Sequence, residues 1–405
     1  MRIFVVNCGS SSIKYQLFDM TDESVLAKGL LERIGTATAK LHHSTNGRRG
    51  KGQIERLIAA PNHTAGLKVI LEALTDRDIG VLDSIDDIDG VGHRVVHGGE
   101  GTTASARIDE KLISLIRRNI DLAPLHNPPN LAGIEAAMAT IRKAAHVAVF
   151  DTAFLSTLPP MAYRYAVPNE WHAKYHIRRY GFHGTSHRYV TLRAAELLGK
   201  PYDKVNLITC HLGNGCSMTA VAGGKAVDHS MGMTPLEGLV MGTRCGDIDP
   251  AIVLRMISVG MSPAEVDTAL NKASGLLGLS ELSNDMRDLL SAAEAGDAKA
   301  RLAVDVFVYR VAKYIGAYFT ILPALDAVVF TGGIGENSTP IRRAVCRYLA
   351  RLGAALDETR NSQAVGGQAG PITADACKLP VWVIPTNEEL MIARDTAAIV
   401  APVSH

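Results

Sequence analysis

The 405-residue chain has no run of the roughly 18 apolar residues that a membrane-crossing helix needs, so no membrane partner is expected. Only Ile3 to Val6 are continuously apolar ahead of Asn7, too few for the core of a secretory leader, and the expected compartment is the cytoplasm. None of the six cysteines forms a C-x-x-C pair. Cys210 and Cys216 come nearest and flank a glycine turn, which points to reduced thiols rather than a disulfide framework. Charge of one sign is missing too: a net charge of +1 creates no field that would gather nucleic acid. The one tight basic cluster, Arg48, Arg49 and Lys51 around Asn46-Gly47, reads as a solvated turn. A G-x-x-x-x-G-K-[ST] phosphate loop and the dinucleotide glycine fingerprint are both absent.

What is present is a large core's worth of hydrophobic residues, 47%, in a chain long enough for two or three domains. Short apolar runs alternate with helical periodicity, which argues α/β. Strands are expected at Arg2–Val6, Ile13–Phe18, Val91–Val96, His146–Phe150, Val205–Cys210, Met218–Val221, Ala327–Phe330 and Val381–Ile384. Helices are expected around Leu112–Ile116 and after Pro128-Pro129, and from the capping box Ser262-Pro263-Ala264-Glu265. Another follows Thr339-Pro340, with Ile341, Val345, Leu349 and Leu352 on one face and Gly353 as its stop. Ala298–Leu322 reads as a long helix, apolar over most of its surface and therefore deep in a domain. Gly35–Gly52 reads as an exposed hairpin or loop, and Gln363–Pro371 as a mobile glycine-rich segment.

Two segments look like copies of one device. Asn7-Cys8-Gly9-Ser10-Ser11-Ser12-Ile13-Lys14 and His211-Leu212-Gly213-Asn214-Gly215-Cys216-Ser217 each read as strand, tight glycine turn, strand. Such turns can aim backbone N–H groups and hydroxyls at an anion. One copy in each half suggests a duplicated fold that clamps a polyphosphate. Side chains alternate along a strand, so Ser12 and Lys14 face the same way. The amide oxygen of Asn7 is a hard ligand suited to Mg2+. A third glycine cluster, Thr331-Gly332-Gly333-Ile334-Gly335-Glu336-Asn337, stands between a strand and a helix, where backbone can approach a flat ring or a phosphate. Arg94 and Arg244 sit in glycine-bounded segments and offer planar forks for carboxylate or phosphoryl oxygens. His183 and His187 have H-x-x-x-H spacing, but no third ligand is evident and a zinc site is not expected. Asp151 at a strand end and Glu388 after the last strand are candidate Mg2+ partners; Glu388 also suits the first turn of a helix.

These motifs, with Gly92-His93-Arg94-Val95-Val96-His97-Gly98-Gly99, Tyr180-Gly181-Phe182-His183-Gly184-Thr185-Ser186-His187, Met241-Gly242-Thr243-Arg244 and Pro385-Thr386-Asn387-Glu388-Glu389-Leu390, resemble those of the acetate kinase family over essentially the whole chain. The family belongs to the acetate and sugar kinase/Hsp70/actin superfamily. The resemblance implies two ribonuclease H-like (actin-like ATPase) domains, each on a mixed five-stranded sheet: 1–150 with 386–405, and 151–385, the latter binding the nucleotide. It implies reversible phosphoryl transfer from ATP to acetate, with Mg2+ (or Mn2+) as cofactor, in a homodimer. By position, Asn7 and Glu388 match the metal residues, and Asp151, Arg94, Arg244 and His183 the catalytic group. Val96, Leu125, Phe182 and Pro235, with Arg94, match the acetate pocket. Ser12, Lys14, His211, Leu212, Gly213, Asn214, Gly215, Asp285, Met286, Arg287, Gly333, Ile334, Gly335, Glu336 and Asn337 match ATP contacts. Departures are mild: Cys245 replaces a usual serine, Leu155 a common histidine, and Met233 and Val240 vary near Arg244. Acetate is ionised at neutral pH, so Asp151 is expected to order the metal, its waters or an arginine, not to remove a proton. The rivals are a propionate or butyrate kinase of the same family and an ATP-driven switch of the Hsp70/actin kind.

Overall fold

The computed structural model describes residues 1–47, 50–124 and 126–401; Arg48, Arg49 and Leu125 lie outside the described residues. The chain forms two compact units, Met1–Ala153 with Asn387–His405, and Phe154–Thr386.

The first unit is built on eight strands: β1 (Arg2–Cys8), β2 (Ser12–Asp19), β3 (Ser24–Glu32), β4 (Lys40–Gly47), β5 (Gly50–Leu57), β6 (Gly90–Val95), β7 (Ala106–Arg107) and β8 (Ala145–Phe150). Their order is β5-β4-β3-β2-β1-β6-β8-β7. β1 pairs antiparallel with β2, placing Asn7 opposite Lys14, and parallel with β6; β6 runs parallel to β8. The continuous apolar run of β1 reflects cover on both faces. Phe4, Val6 and Cys8 join a core with helices His63–Leu74 and Asn127–Thr140. The opposite face carries helix Glu388–Val400, and glycine makes room for it. A Cβ on Gly92 would lie 2.7 Å from Ile392 Cγ2 and still closer to the Thr396 hydroxyl.

The second unit repeats the plan with β9 (Leu207–Leu212), β10 (Cys216–Ala222), β11 (Lys225–His229), β12 (Ala327–Thr331), β13 (Gly370–Pro371) and β14 (Val381–Val383), in the order β11-β10-β9-β12-β14-β13. β9 is antiparallel to β10 and parallel to β12, and β12 is parallel to β14. Helix Gly184–Leu197 covers one face through Val190 and Ala194 against Leu207 and Val329. In each unit three antiparallel strands and two parallel ones make a five-stranded mixed core, extended by β4, β5 and β7 in the first and by β13 in the second. This is the duplicated ribonuclease H-like, actin-like ATPase fold.

Two expectations are refined. Of the hairpin or loop expected over Gly35–Gly52 the structure has the hairpin, β4 with β5, but β4 also pairs with β3 and is not wholly exposed: Leu41, His43 and Thr45 point inward. Helix Ala298–Ile321 is not deep on all sides. Phe307, Val311, Ile315 and Tyr318 are buried, but Leu302, Tyr309, Phe319 and Ile321 are exposed. Among the described residues no helix is long and apolar enough to cross a membrane, and all six cysteines are free thiols.

Candidate functional site

In the first unit, side-chain parity gathers the polar candidates on one face. Asn7 shares its side of β1 with Ile3 and Val5, Lys14 lies directly opposite Asn7, and Arg94 shares its side of β6 with Gly90 and Gly92. That is the face under helix Glu388–Val400. The β1–β2 turn closes with the Gly9 N–H donating to the Ser12 carbonyl at 2.9 Å. Its Cys8 carbonyl accepts from the Asn130 amide at 2.8 Å, and its Gly9 carbonyl lies 2.7 Å from Nε2 of His63. Lys14 reaches Glu389 at 2.5 Å. Arg94 forks over Asp151, with Nε 3.1 Å from both carboxylate oxygens and Nη2 2.5 Å from Oδ2. Asp151, just after β8, is 1% exposed. Burial works against the Arg94 charge, but Asp151, Glu388 and Glu389 outweigh it and raise its pKa above the ordinary value.

Glu388 opens its helix behind Asn387, whose Oδ1 accepts the Leu390 N–H at 3.0 Å. Among the described residues the buried Glu388 Oε1 atom meets no hydrogen-bond donor. Burial pushes the carboxyl up to about 7; Arg94 and Lys14 pull it down, while Asp151 and Glu389 push it up. An orphaned carboxylate oxygen and an asparagine amide on the same face are hard oxygen donors that fit Mg2+ or Mn2+. Among the described residues no three His, Cys, Asp or Glu side chains form a metal cage. A Mg2+ that keeps several waters and binds phosphate oxygens does not need one.

The second unit offers a different set of groups. His183 caps helix Gly184–Leu197 in the left-handed region (φ 57°), a costly conformation for a residue with a Cβ. Its Nδ1 lies 2.9 Å from the Ser217 hydroxyl, and its ring stacks on His211 with centroids 4.5 Å apart. Nδ1 of His211 lies 2.8 Å from the Ser186 hydroxyl. The β9–β10 turn closes through the Gly213 N–H and the Gly215 carbonyl at 3.1 Å. A Cβ on Gly215 would lie 3.4 Å from His183 Nε2 and 3.9 Å from Arg244 Nη1, so histidine, arginine and glycine turn converge. Arg244 is half-buried, and burial lowers its pKa. Among the described residues no carboxylate pairs with it; its Nη1 reaches only the Pro235 carbonyl at 3.5 Å and the Met241 sulfur at 3.8 Å. Phe182 is buried and donates its N–H to His229 Nε2, and Pro235 is half-buried. Val96, in the first unit, is buried and bonded through its N–H to Asn130.

The third glycine cluster is helical, not an open loop. β12 runs straight into helix Gly332–Asn337. Gly332 has φ 75°, and a Cβ there would press on the Leu212 backbone at 2.8–3.1 Å. A cavity of about 620 Å³ lies beside it, lined by Gly213 and Asn214, by Asp285, Met286 and Arg287, and by Gly333, Ile334 and Asn337. Asp285 caps helix Met286–Glu294 and holds Arg287 in a two-pronged ion pair. Leu212 and Gly335 are buried. Glu336 turns inward and accepts from the Gly332 N–H at 2.8 Å, the Thr386 N–H at 3.1 Å and the Thr331 hydroxyl at 3.3 Å.

A family model for acetokinases matches residues 2–394. The chain belongs to the acetokinase family. It is 53% identical to acetate kinase of Thermotoga maritima over 402 residues, covering 99% of both chains. It is 52% identical to that of Dictyoglomus turgidum, over 99% of this chain and 98% of the relative. Among solved structures, Porphyromonas gingivalis acetate kinase superposes with TM-score 0.93 at 43% identity, covering 99% of this chain and all of that one. A propionate kinase from Francisella tularensis gives TM-score 0.91 at 41% identity, over 98% and 99%.

Several supporting residues of this acetokinase escape sequence reading. His187, Ser217 and Thr209 form a buried chain behind His183. Arg342, fully buried, ties the end of the Gly332–Asn337 helix to helix Glu358–Gln363. It donates to the carbonyls of Gly335, Glu336, Asn361 and Ala364 and to the Asn361 side chain. The spacing of His183 and His187 was a signal for the first group: one helical turn apart, both rings reach one hydroxyl. Arg342 had no comparable signal.

Proposed function

We propose that this acetokinase transfers the γ-phosphoryl group of ATP to acetate, reversibly and in line, giving acetyl phosphate and ADP. The observation that carries the reading is Arg244: a half-buried guanidinium with no carboxylate partner among the described residues, beside a glycine turn and His183, calls for an anionic ligand. Membership in the acetokinase family and the acetate kinases at 51–53% identity support acetate as acceptor.

Acetate arrives ionised, so the step needs no general base. Phosphoryl transfer depends mainly on positioning and on neutralising charge. Arg244 and His183 are assigned to the oxygens of the moving phosphoryl group, and Arg94 to the acetate carboxylate. Asp151 holds the Arg94 fork in plane and takes no proton. Val96, Phe182 and Pro235 are assigned to the acetate methyl. Lys14 and Ser12 join the first turn as phosphate contacts, and His211 to Gly215 form the second. The 620 Å³ cavity is assigned to adenosine, which makes the second unit the nucleotide-binding one. Asn7 and Glu388 would hold Mg2+, which when bound supplies charge neutralisation on the phosphate oxygens.

Helix Ala251–Ser258 supports a homodimer: it buries none of its residues, and Ile252, Leu254, Met256 and Ile257, with Val259 just beyond, stand exposed. Cytoplasmic residence completes the reading. Incubation with MgATP, acetate and hydroxylamine is expected to yield acetyl hydroxamate, and its absence with active-site titration intact would refute the assignment. Turnover efficiency on acetate against propionate tests the acceptor, because one methylene in an apolar pocket is worth only about 1–3 kcal/mol.

A further inference from the structure

Ser217 stands at the centre of a buried relay in the second unit. Its hydroxyl is 2.9 Å from Nδ1 of His183 and 2.8 Å from Nε2 of His187. Nδ1 of His187 is in turn 2.7 Å from the Thr209 hydroxyl. Ser217, His187 and Thr209 are each fully buried. Parity explains the arrangement: Ser217 pairs across the sheet with His211, and Thr209 with Thr219, all on the face under helix Gly184–Leu197.

The proton positions follow from counting. A neutral imidazole carries one N–H, and a hydroxyl donates once. Burial, helped by the His229 and His211 rings, holds the pKa of His187 well below its ordinary value, so His187 is neutral. The Thr209 proton has two acceptors in reach, His187 Nδ1 at 2.7 Å and the Thr219 carbonyl at 3.4 Å. The 2.7 Å contact is a full hydrogen bond in either direction, but were Nδ1 the donor the buried Thr209 proton would have only the marginal 3.4 Å carbonyl, so Thr209 is the donor. With Thr209 donating to Nδ1, His187 keeps its proton on Nε2 and donates to Ser217. Ser217 then donates to His183 Nδ1. A neutral His183 is left with its proton on Nε2, on the ring edge that faces Gly215.

We infer that Thr209, His187 and Ser217 are positioning residues that hold His183 as its Nε2–H tautomer, so that it offers a neutral donor to the phosphoryl oxygens. The inference rests on the assignment of His183 as a phosphoryl contact. A neutral donor avoids placing an imidazolium against the stacked His211 ring, and it still strengthens as negative charge develops on the group in transfer.

The test is nitrogen NMR on histidine-labelled, full-length, ligand-free protein, with the His183 signals assigned by their loss in His183→Gln. Pyrrole-type Nε2 and pyridine-type Nδ1 are expected; the reverse would overturn the inference. Ser217→Ala is expected to mix the tautomers and lower kcat about ten- to a hundredfold, the usual cost of losing a histidine's supporting partner, with KM for ATP little changed. Ser217→Thr, which keeps a hydroxyl, should recover most of that loss. Thr209→Val gives the same tautomer readout should Ser217→Ala fail to fold. Unchanged kcat alongside scrambled tautomers would overturn the functional claim. Acetyl hydroxamate formation by the unaltered enzyme would still decide the kinase reading separately.

Discussion

Arg94 and Arg244 are assigned to one reaction, yet their surroundings make opposite demands on stability. Replace each with alanine. Arg94→Ala removes the partner of Asp151, a carboxylate 1% exposed that the guanidinium holds by a fork. Breaking a buried pair from one side costs about 3–5 kcal/mol, because the remaining charge stays desolvated. For a unit of this size each kcal/mol lowers the melting temperature by about 2–4 °C, so a fall of about 6–20 °C is expected. Arg244→Ala removes a charge that burial already disfavours and that no carboxylate among the described residues offsets. Its effect on the ligand-free protein should stay within about 1 kcal/mol of zero or be stabilising. Both variants should lose about a hundredfold or more in kcat, as when a preorganised charge-stabilising group is removed. The assay is thermal unfolding of ligand-free protein beside hydroxamate formation. An Arg244→Ala protein melting as far below the parent as Arg94→Ala would refute the argument, since Arg244 would then be paired in a way the geometry does not contain.

Buried neutral histidines make stability pH-dependent. His43 is lowered to about 4 by burial, and His93, His187 and His229 lie well below their ordinary value for the same reason. With depressed native pKa values the unfolded chain binds more protons below about pH 6.5. Stability is therefore full above that pH and lost as pH falls toward 4, at roughly 1.4 kcal/mol per histidine per pH unit; an unchanged melting temperature from pH 7.5 to 5.5 would refute this. Gly92→Ala should destabilise the first unit by about 1–3 kcal/mol or more, because the new methyl drives into Ile392 and Thr396; calorimetry decides. Glu388→Gln should raise the Mg2+ concentration needed for half-maximal rate by tenfold or more without lowering ligand-free stability, because the carboxylate oxygen it alters has no donor to lose; an unchanged Mg2+ titration would remove Glu388 from the metal site.

Much of the fold was legible because its signals are local. β1, β2, β9 and β10 announce themselves as apolar runs broken by glycine, and the capping box at Ser262 is present with both of its hydrogen bonds. β4 is legible only as part of a hairpin or loop, not as a half-buried strand, because polar residues occupy its inward positions. His43 and Thr45 keep the two-residue period but carry no hydrophobic signal, and His43 is accommodated by a short hydrogen bond between its Nδ1 and the Tyr15 hydroxyl. The error over helix Ala298–Ile321 runs the other way. Leu302, Tyr309 and Phe319 are apolar yet exposed, and composition cannot distinguish an apolar surface residue from a core one. Glu336 was legible as part of a glycine cluster, but not as the carboxylate that joins Gly332 to Thr386, because that bond crosses 50 residues.

The two turn devices show why position was easier to read than role. Each sets a polar residue near the end of its first strand opposite a polar residue on its second: Asn7 across from Lys14, and His211 across from Ser217. The place is the same in both units, and strand parity sends each pair to the face covered by a helix. The chemistry differs with the neighbours. In the first unit the covering helix brings Glu388, whose buried oxygen lacks a donor, so its face suits a cation. In the second it brings His183 and His187, which share the Ser217 hydroxyl, and the adjoining arginine lacks a carboxylate, so its face suits an anion. The proposed metal on the first and phosphate oxygens on the second are thus argued from what each copy leaves unsatisfied among the described residues, a buried Glu388 oxygen in one and the Arg244 guanidinium in the other.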